Sequence, residues 1–191
     1  MNDRGRELRI SHPPWVDDLV DWQRPYRTDE EKMRLAILLS RENVLRETGG
    51  PFAAAIFEVA TGRLVAVGVN SVVRLCNSAL HGEMIAFMMA QHALRSFTLG
   101  AVRLPVHELV TSCEPCAMCL GATLWSGVKR VVYGAERADA RRLSFDEGPV
   151  FPDSYRYLRE RGIEIVPDVL RDEARAVLEL YRSRGGEIYN G

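Results

Sequence analysis

Two rhythms of apolar residues divide the chain. Thr28 followed by Asp29, Glu30 and Glu31 is a capping hydroxyl with acids in the first turn, and Met33, Leu35, Leu38 and Leu39 continue as an apolar stripe that stops at Gly49 and Gly50. That pattern predicts a helix whose stripe packs on a sheet. Phe52–Val59 and Leu64–Val73 are apolar, partly β-branched runs separated by a turn containing Thr61 and Gly62, which reads as a two-stranded hairpin. The Met- and Ala-rich stretch from Ala79 to Leu94 reads as a helix, His107–Ser112 as a strand, and Pro115 opens a further helix to about Ser126. Val128–Tyr133, Tyr155–Arg161, Ile163–Pro167 and Asp168–Arg184 follow as strand, helix, strand and helix, the last with Leu170, Ala174, Val177, Leu178 and Tyr181 on one face. Strands alternating with helices after a hairpin imply an α/β fold, a three-layer α/β/α sandwich around a mixed sheet of about five strands. Residues 1–27, with Pro13, Pro14 and Pro25, have no usable periodicity and read as an N-terminal arm. Residues 28–191 read as a single domain ending in a helix and a tail.

Charge adds where the core lies. With 26 acidic and 25 basic side chains among 191 residues the net charge is −1, so no field draws the whole molecule onto a phosphate backbone or an anionic membrane. Residues 51–134 hold only 10 of those 51 charges, which marks the middle of the chain as the buried part. Four cysteines, Cys76, Cys113, Cys116 and Cys119, are too clustered for a disulfide framework. No apolar segment of signal-peptide length opens the chain, and the longest uncharged apolar run, Met84–Ala90, is too short to cross a bilayer. The expected setting is soluble, reducing and cytoplasmic.

Candidate chemistry sits in the charge-poor stretch. His81 and Glu83 alone say little, since a helix-start Glu ordinarily complements the dipole. Cys116 and Cys119 alone fit a redox dithiol, half of a structural zinc knuckle, or a pair of catalytic metal ligands. The combination decides: His81-x-Glu83 at one helix start and Pro115-Cys116-Ala117-Met118-Cys119 at the next form the H-x-E…P-C-x-x-C signature of zinc-dependent nucleobase deaminases. Cysteines three apart share a helix face, so both sulfurs can reach one ion. Two helix N-termini aimed at that ion favour thiolate and added negative charge. His81, Cys116 and Cys119 leave one tetrahedral position on Zn2+, one ion per chain, for a water or hydroxide. Glu83 then serves as proton shuttle.

The segment TSCEPCAMCLGA at Thr111–Ala122 resembles the bacterial and plant guanine deaminases of the cytidine deaminase superfamily. The similarity continues through GPFAAAIFE at Gly50–Glu58, Asn70, Leu124 and Trp125, FDEGP at Phe145–Pro149 and IYN at Ile188–Asn190, and covers about residues 30–191. It implies that Phe52 and Trp125 wall a base pocket, that Asn70 and the Gly82 backbone contact the purine, and that Asp146 or Glu147 adds a second carboxylate. Apart from the family, the same residues read as core aromatics, a turn residue and a solvated loop. The second acid has a chemical rationale of its own, because guanine presents two adjacent donors and an ionised carboxylate only accepts. Gly82 departs from the family's usual Ala, at about 1 kcal/mol of helix propensity, and leaves room at the pocket floor. The resemblance further implies a small nucleobase substrate and a homodimer in which the segment from Phe145 or the Tyr189 tail can cross to the neighbour's pocket. Guanosine, an aminated triazine, cytosine and tRNA adenosine are the alternative substrates, and balanced charge argues against nucleic acid. A non-catalytic zinc scaffold is the remaining alternative, against which an intact Glu83 stands.

Overall fold

A computed structural model describes residues 7–189. Residues 1–6 of the expected arm and Asn190 of the C-terminal segment lie outside them. The elements are α1 (Trp15–Leu19), α2 (Asp29–Leu45), β1 (Ala53–Glu58), β2 (Leu64–Val69), α3 (Gly82–Ala93), β3 (His107–Cys113), α4 (Ala117–Ser126), β4 (Arg130–Ala135), α5 (Arg137–Arg141), α6 (Pro152–Glu160), β5 (Glu164–Val166) and α7 (Arg171–Ser183). The five strands form one sheet in the order β2-β1-β3-β4-β5. β1 is antiparallel to β2 and β3, while β3, β4 and β5 run parallel. This is the expected mixed α/β sheet, covered by α2 and α7 on one face and by α3, α4 and α6 on the other.

Sequence chemistry sets the element ends. The α2 start is a capping box: Thr28 Oγ1 accepts from the Glu31 amide at 3.2 Å, and Glu31 Oε2 accepts from the Thr28 amide at 3.3 Å. β2 stops at Val69 rather than running to Val73, because Asn70 and Ser71 turn the chain and their side chains bond local backbone. The chain from Ser11 to Arg27 is tied to the domain, Ser11 O accepting from Arg74 at 2.6 Å. Trp15, Val16, Val20 and Tyr26 are buried in the core, and the Tyr26 amide donates to Gly62 O at 2.8 Å.

Close packing of α3 on the hairpin is the feature that matters most for the site. A β-carbon on Gly68 of β2 would stand 2.0 Å from Gly82 O and 2.5 Å from the Ala86 amide nitrogen. On Gly82 it would stand 3.0 Å from Ala53 Cα and 3.1 Å from Gly68 O. Backbone therefore meets backbone where α3 begins. The room left by Gly82 is taken up by this approach to the sheet, which corrects the reading that it widens the pocket floor.

Candidate active site

At the carboxyl end of β3 the chain passes through Glu114 and Pro115 into α4, beside the amino end of β1 and the start of α3. This is the end of a parallel strand pair, where α/β sheets expose ligand-binding crevices. His81 and Cys116 are the N-cap residues of α3 and α4, with extended backbone and no side-chain capping bond, so both side chains are free to turn toward each other. Pro115 thus stands one residue before the cap, not at the first helical position. His81 Nδ1 lies 3.6 Å from Cys116 Sγ and 3.7 Å from Cys119 Sγ. Those spacings fit corners of a tetrahedron whose zinc bonds are about 2.0–2.3 Å long, for which neighbouring ligands lie about 3.5 Å apart. One nitrogen and two sulfurs are also a donor set suited to zinc. Among the described residues this is the group of three whose ligand atoms, all within 4.8 Å, could hold a metal ion.

A model of the cytidine and deoxycytidylate deaminase zinc-binding region matches residues 26–135. The chain belongs to this family. It is 37% identical over 134 residues to a guanine deaminase of Bacillus subtilis, covering 70% of this chain and 81% of the relative. A solved structure of the guanine deaminase from Nitrosomonas europaea is 41% identical with a TM-score of 0.89, covering 96% of this chain and 98% of the other. A further structure, of a protein in complex with 2,6-diaminopurine, is 42% identical with a TM-score of 0.91, covering 100% of this chain and 98% of the other. As a family member the chain is a hydrolase acting on carbon–nitrogen bonds and a zinc-binding protein.

Around the cluster of this deaminase fold lies a cavity of about 20 Å³, lined by Phe52, His81, Glu83, Cys113, Glu114, Cys116, Glu147 and Tyr189. It has room for about one water molecule. Tyr189 closes it from above: its ring stands 6.5 Å from the His81 imidazole and 5.3 Å from Phe145, its hydroxyl is buried, and no partner for it occurs among the described residues. Phe145 anchors the same loop as Glu147 by packing between Phe52, Tyr181 and Tyr189.

Burial governs the charges here. Glu83 is raised by burial and by the Cys116 sulfur. Glu147 is pushed up to about 8 by burial and then by the negative charges of Cys116 and Glu83. The bond from Cys119 does most to lower Cys116, to about 4, whereas Cys119 is raised by that same bond and by burial. Both thiols must lose their protons to bind a metal. Cys113, raised by burial and by Glu147, is a neutral thiol facing Glu136 O at 3.8 Å.

The structure separates the two candidate second acids. Glu147 is buried in the cavity, while Asp146 is exposed and its Oδ1 accepts from the Gly148 amide at 2.8 Å, an Asx turn that holds it outward. Trp125 is also corrected. It is 79% exposed and does not line the cavity, because six residues beyond Cys119 a helical side chain points about 120° away from the ligand face. Asn70 is buried outside the lining, with its Oδ1 at 3.4 Å from the Gly50 and Val72 amides and its Nδ2 without a partner among the described residues. Gly82 and Cys119 hold the positions their helices dictate. Sequence reasoning missed Cys113 and Glu114, although both adjoin the cysteine motif at the carboxyl end of a strand, where a crevice is expected.

Proposed function

We propose that the chain hydrolyses guanine to xanthine and ammonia. The observation that carries this reading is the pair of buried acids, Glu83 and Glu147, on either side of one small cavity beside His81, Cys116 and Cys119. Guanine's ring N–H and exocyclic amine are adjacent donors that match the two oxygens of Glu147 and favour its ionised form against the burial that otherwise keeps it protonated. Adenine and cytosine carry an acceptor beside the amine and would meet this acid less well. The guanine deaminase relatives and the diaminopurine complex support the same substrate class.

In the mechanism His81, Cys116 and Cys119 would hold the zinc ion. Zinc, when bound, supplies Lewis acidity that makes water a nucleophile near neutral pH. Glu83 takes a proton from the attacking water and gives it to the ring nitrogen next to the amine-bearing carbon. The new carbon–oxygen bond forms, the carbon–nitrogen bond breaks, and the second water proton leaves with the amine as ammonia through Glu83 or Glu147. Phe52 stacks on the base, Asn70 Nδ2 donates to it, and the Gly82 backbone lies against it. Tyr189 must swing away for any ring to enter a cavity this small, and then close over it.

The purified zinc-loaded protein should release ammonia from guanine, and Glu83→Gln should abolish release while retaining about one zinc per chain. Full turnover by Glu83→Gln would overturn the mechanism. We also propose a homodimer in which Tyr189 covers the cavity of its own protomer rather than the neighbour's. In support, Met118, Gly121 and Trp125 form one stripe of α4, Gly121 shares a groove with Tyr157 of α6, and Met118, Trp125 and Tyr157 are exposed. Sedimentation should give a dimer that Trp125→Arg dissociates; a monomeric wild type would refute it. We further propose a cytoplasmic location, where the clustered cysteines stay reduced; no described helix is long and apolar enough to cross a membrane.

A further inference from the structure

Glu114 is the third carboxylate on the cavity wall, and its surroundings are unlike those of the other two. Among the described residues no cation is bonded to Glu83 or Glu147. Glu114 has its oxygens occupied: the Tyr155 hydroxyl donates to Oε1 at 2.5 Å, and the Arg137 amide donates to Oε2 at 2.9 Å. The Arg137 guanidinium adds an ion pair, with Nε 2.9 Å from Oε1, and lies over the Tyr155 ring at 5.7 Å. Two hydrogen bonds and an ion pair tie this carboxylate to its neighbours, although it faces the site.

The three partners come from separate places in the chain. Glu114 immediately precedes Pro115 and the Cys116 cap, Arg137 opens α5, and Tyr155 lies in α6. Between α5 and α6 runs the segment 142–151, which carries Glu147. Both helices bounding that segment are thus pinned to the residue that leads into the cysteine helix. Smaller bonds run the same way. The Ala117 amide donates to Glu147 O at 2.9 Å, Arg141 to Gly148 O at 3.2 Å, and Arg137 to Val150 O at 3.4 Å.

We propose that Glu114 is a positioning residue. Held between Arg137 and Tyr155, it fixes the 142–151 segment against the start of α4, so that Glu147 and the ligand cysteines keep one relative position. Solvent replaces these bonds poorly, because Glu114 is buried and losing one of its partners costs a buried hydrogen bond. The inference rests on the guanine-deaminase reading where it concerns turnover, and on geometry alone where it concerns the segment.

The test uses zinc-loaded full-length protein and the variants Glu114→Gln and Tyr155→Phe, each checked for about one zinc per chain. Hydrogen exchange without substrate should be about tenfold faster for the 142–151 amides in both variants, with β1, β3 and β4 unchanged. Guanine turnover should fall about tenfold in kcat, and the same substitutions placed in a Glu147→Gln background should lower kcat by less than twofold more, since the acid they position is gone. Unchanged exchange in 142–151 would overturn the proposal whatever the substrate is. Faster exchange with losses that multiply fully in the Glu147→Gln background would also overturn it, because Glu114 would then act independently of Glu147. A wild type inactive on guanine but with the predicted exchange pattern would refute the substrate reading and leave the positioning role supported. Should Glu114→Gln fail to fold, Tyr155→Phe, which removes one hydroxyl and keeps the charge, gives the same readouts.

Discussion

Substituting Gly68 by Ala adds one methyl group at a distance from the cavity and should nevertheless disable the site. Its β-carbon would stand 2.0 Å from Gly82 O, while ordinary contact begins at 3.4 Å, so the start of α3 must retreat from β2 by about 1.4 Å. His81 caps that helix and Glu83 lies in its first turn, so both shift while Cys116, Cys119 and Glu147 stay. A displacement of about 1 Å in a catalytic constellation costs on the order of 10²-fold in rate. Overpacking of this kind costs about 1–3 kcal/mol, which for a chain of this size lowers Tm by roughly 2–12 °C. Gly82→Ala is the control, since its β-carbon would meet Ala53 Cα at 3.0 Å and Gly68 O at 3.1 Å and needs only a few tenths of an ångström. Ammonia release, zinc content and thermal unfolding on both variants decide the matter. The expected result is about 10²-fold lower kcat/KM for Gly68→Ala and within about threefold of wild type for Gly82→Ala. Wild-type turnover and Tm in Gly68→Ala would refute the claim that this backbone approach sets the position of His81.

Other consequences lie away from the cavity. Lys32 Nζ is 2.6 Å from Glu108 Oε1, with both side chains buried, and Arg130 reaches Glu108 Oε2 at 2.6 Å. Glu108→Ala leaves two cations without that partner and should cost about 3–5 kcal/mol in urea unfolding; a loss below about 1 kcal/mol would contradict a paired buried network. The hydrogen bonds from Arg130 hold Asp29 below its ordinary pKa, mainly against burial. Since the folded value is the lower one, this stability is present above the unfolded pKa and is lost as pH falls through the folded one. Asp29→Asn should therefore flatten the acid limb of the urea midpoint below about pH 4, and an unchanged limb would remove Asp29 from it. Stripping zinc with a chelator should lower Tm and restoring it should raise Tm, by about 4 kcal/mol of stability where free zinc is a thousand times its Kd. An unchanged Tm would mean that the three ligands hold no ion.

Elements long enough to carry a full apolar stripe, or bounded by a capping box as at Thr28 and Glu31, were legible from the chain itself. So was the zinc set, because a His at one helix start and a C-x-x-C at another have fixed geometric consequences. The short helices α1 and α5 were not legible. Five residues cannot hold a helix by propensity, and these two depend on distant partners: Trp15 Nε1 donates to Thr48 Oγ1 at 3.1 Å, and Arg171 pairs with Glu136 and Asp139. Adjacent acids in a loop, Asp146 and Glu147, look alike in sequence, whereas in the structure Asp146 is exposed in an Asx turn on Gly148 and Glu147 is buried. Resemblance alone assigns Trp125 to the pocket, whereas the helical period from Cys119 directs it away.

The most direct test of the substrate claim is ammonia release measured side by side on guanine, guanosine, ammeline, cytosine, adenine and an adenosine-containing RNA loop, with wild type and Glu147→Gln. The two buried acids predict turnover of guanine above all others and a loss of at least about 10²-fold in Glu147→Gln. Release from adenosine in the RNA loop alone, or a Glu147→Gln variant as fast as wild type on guanine, would contradict the account.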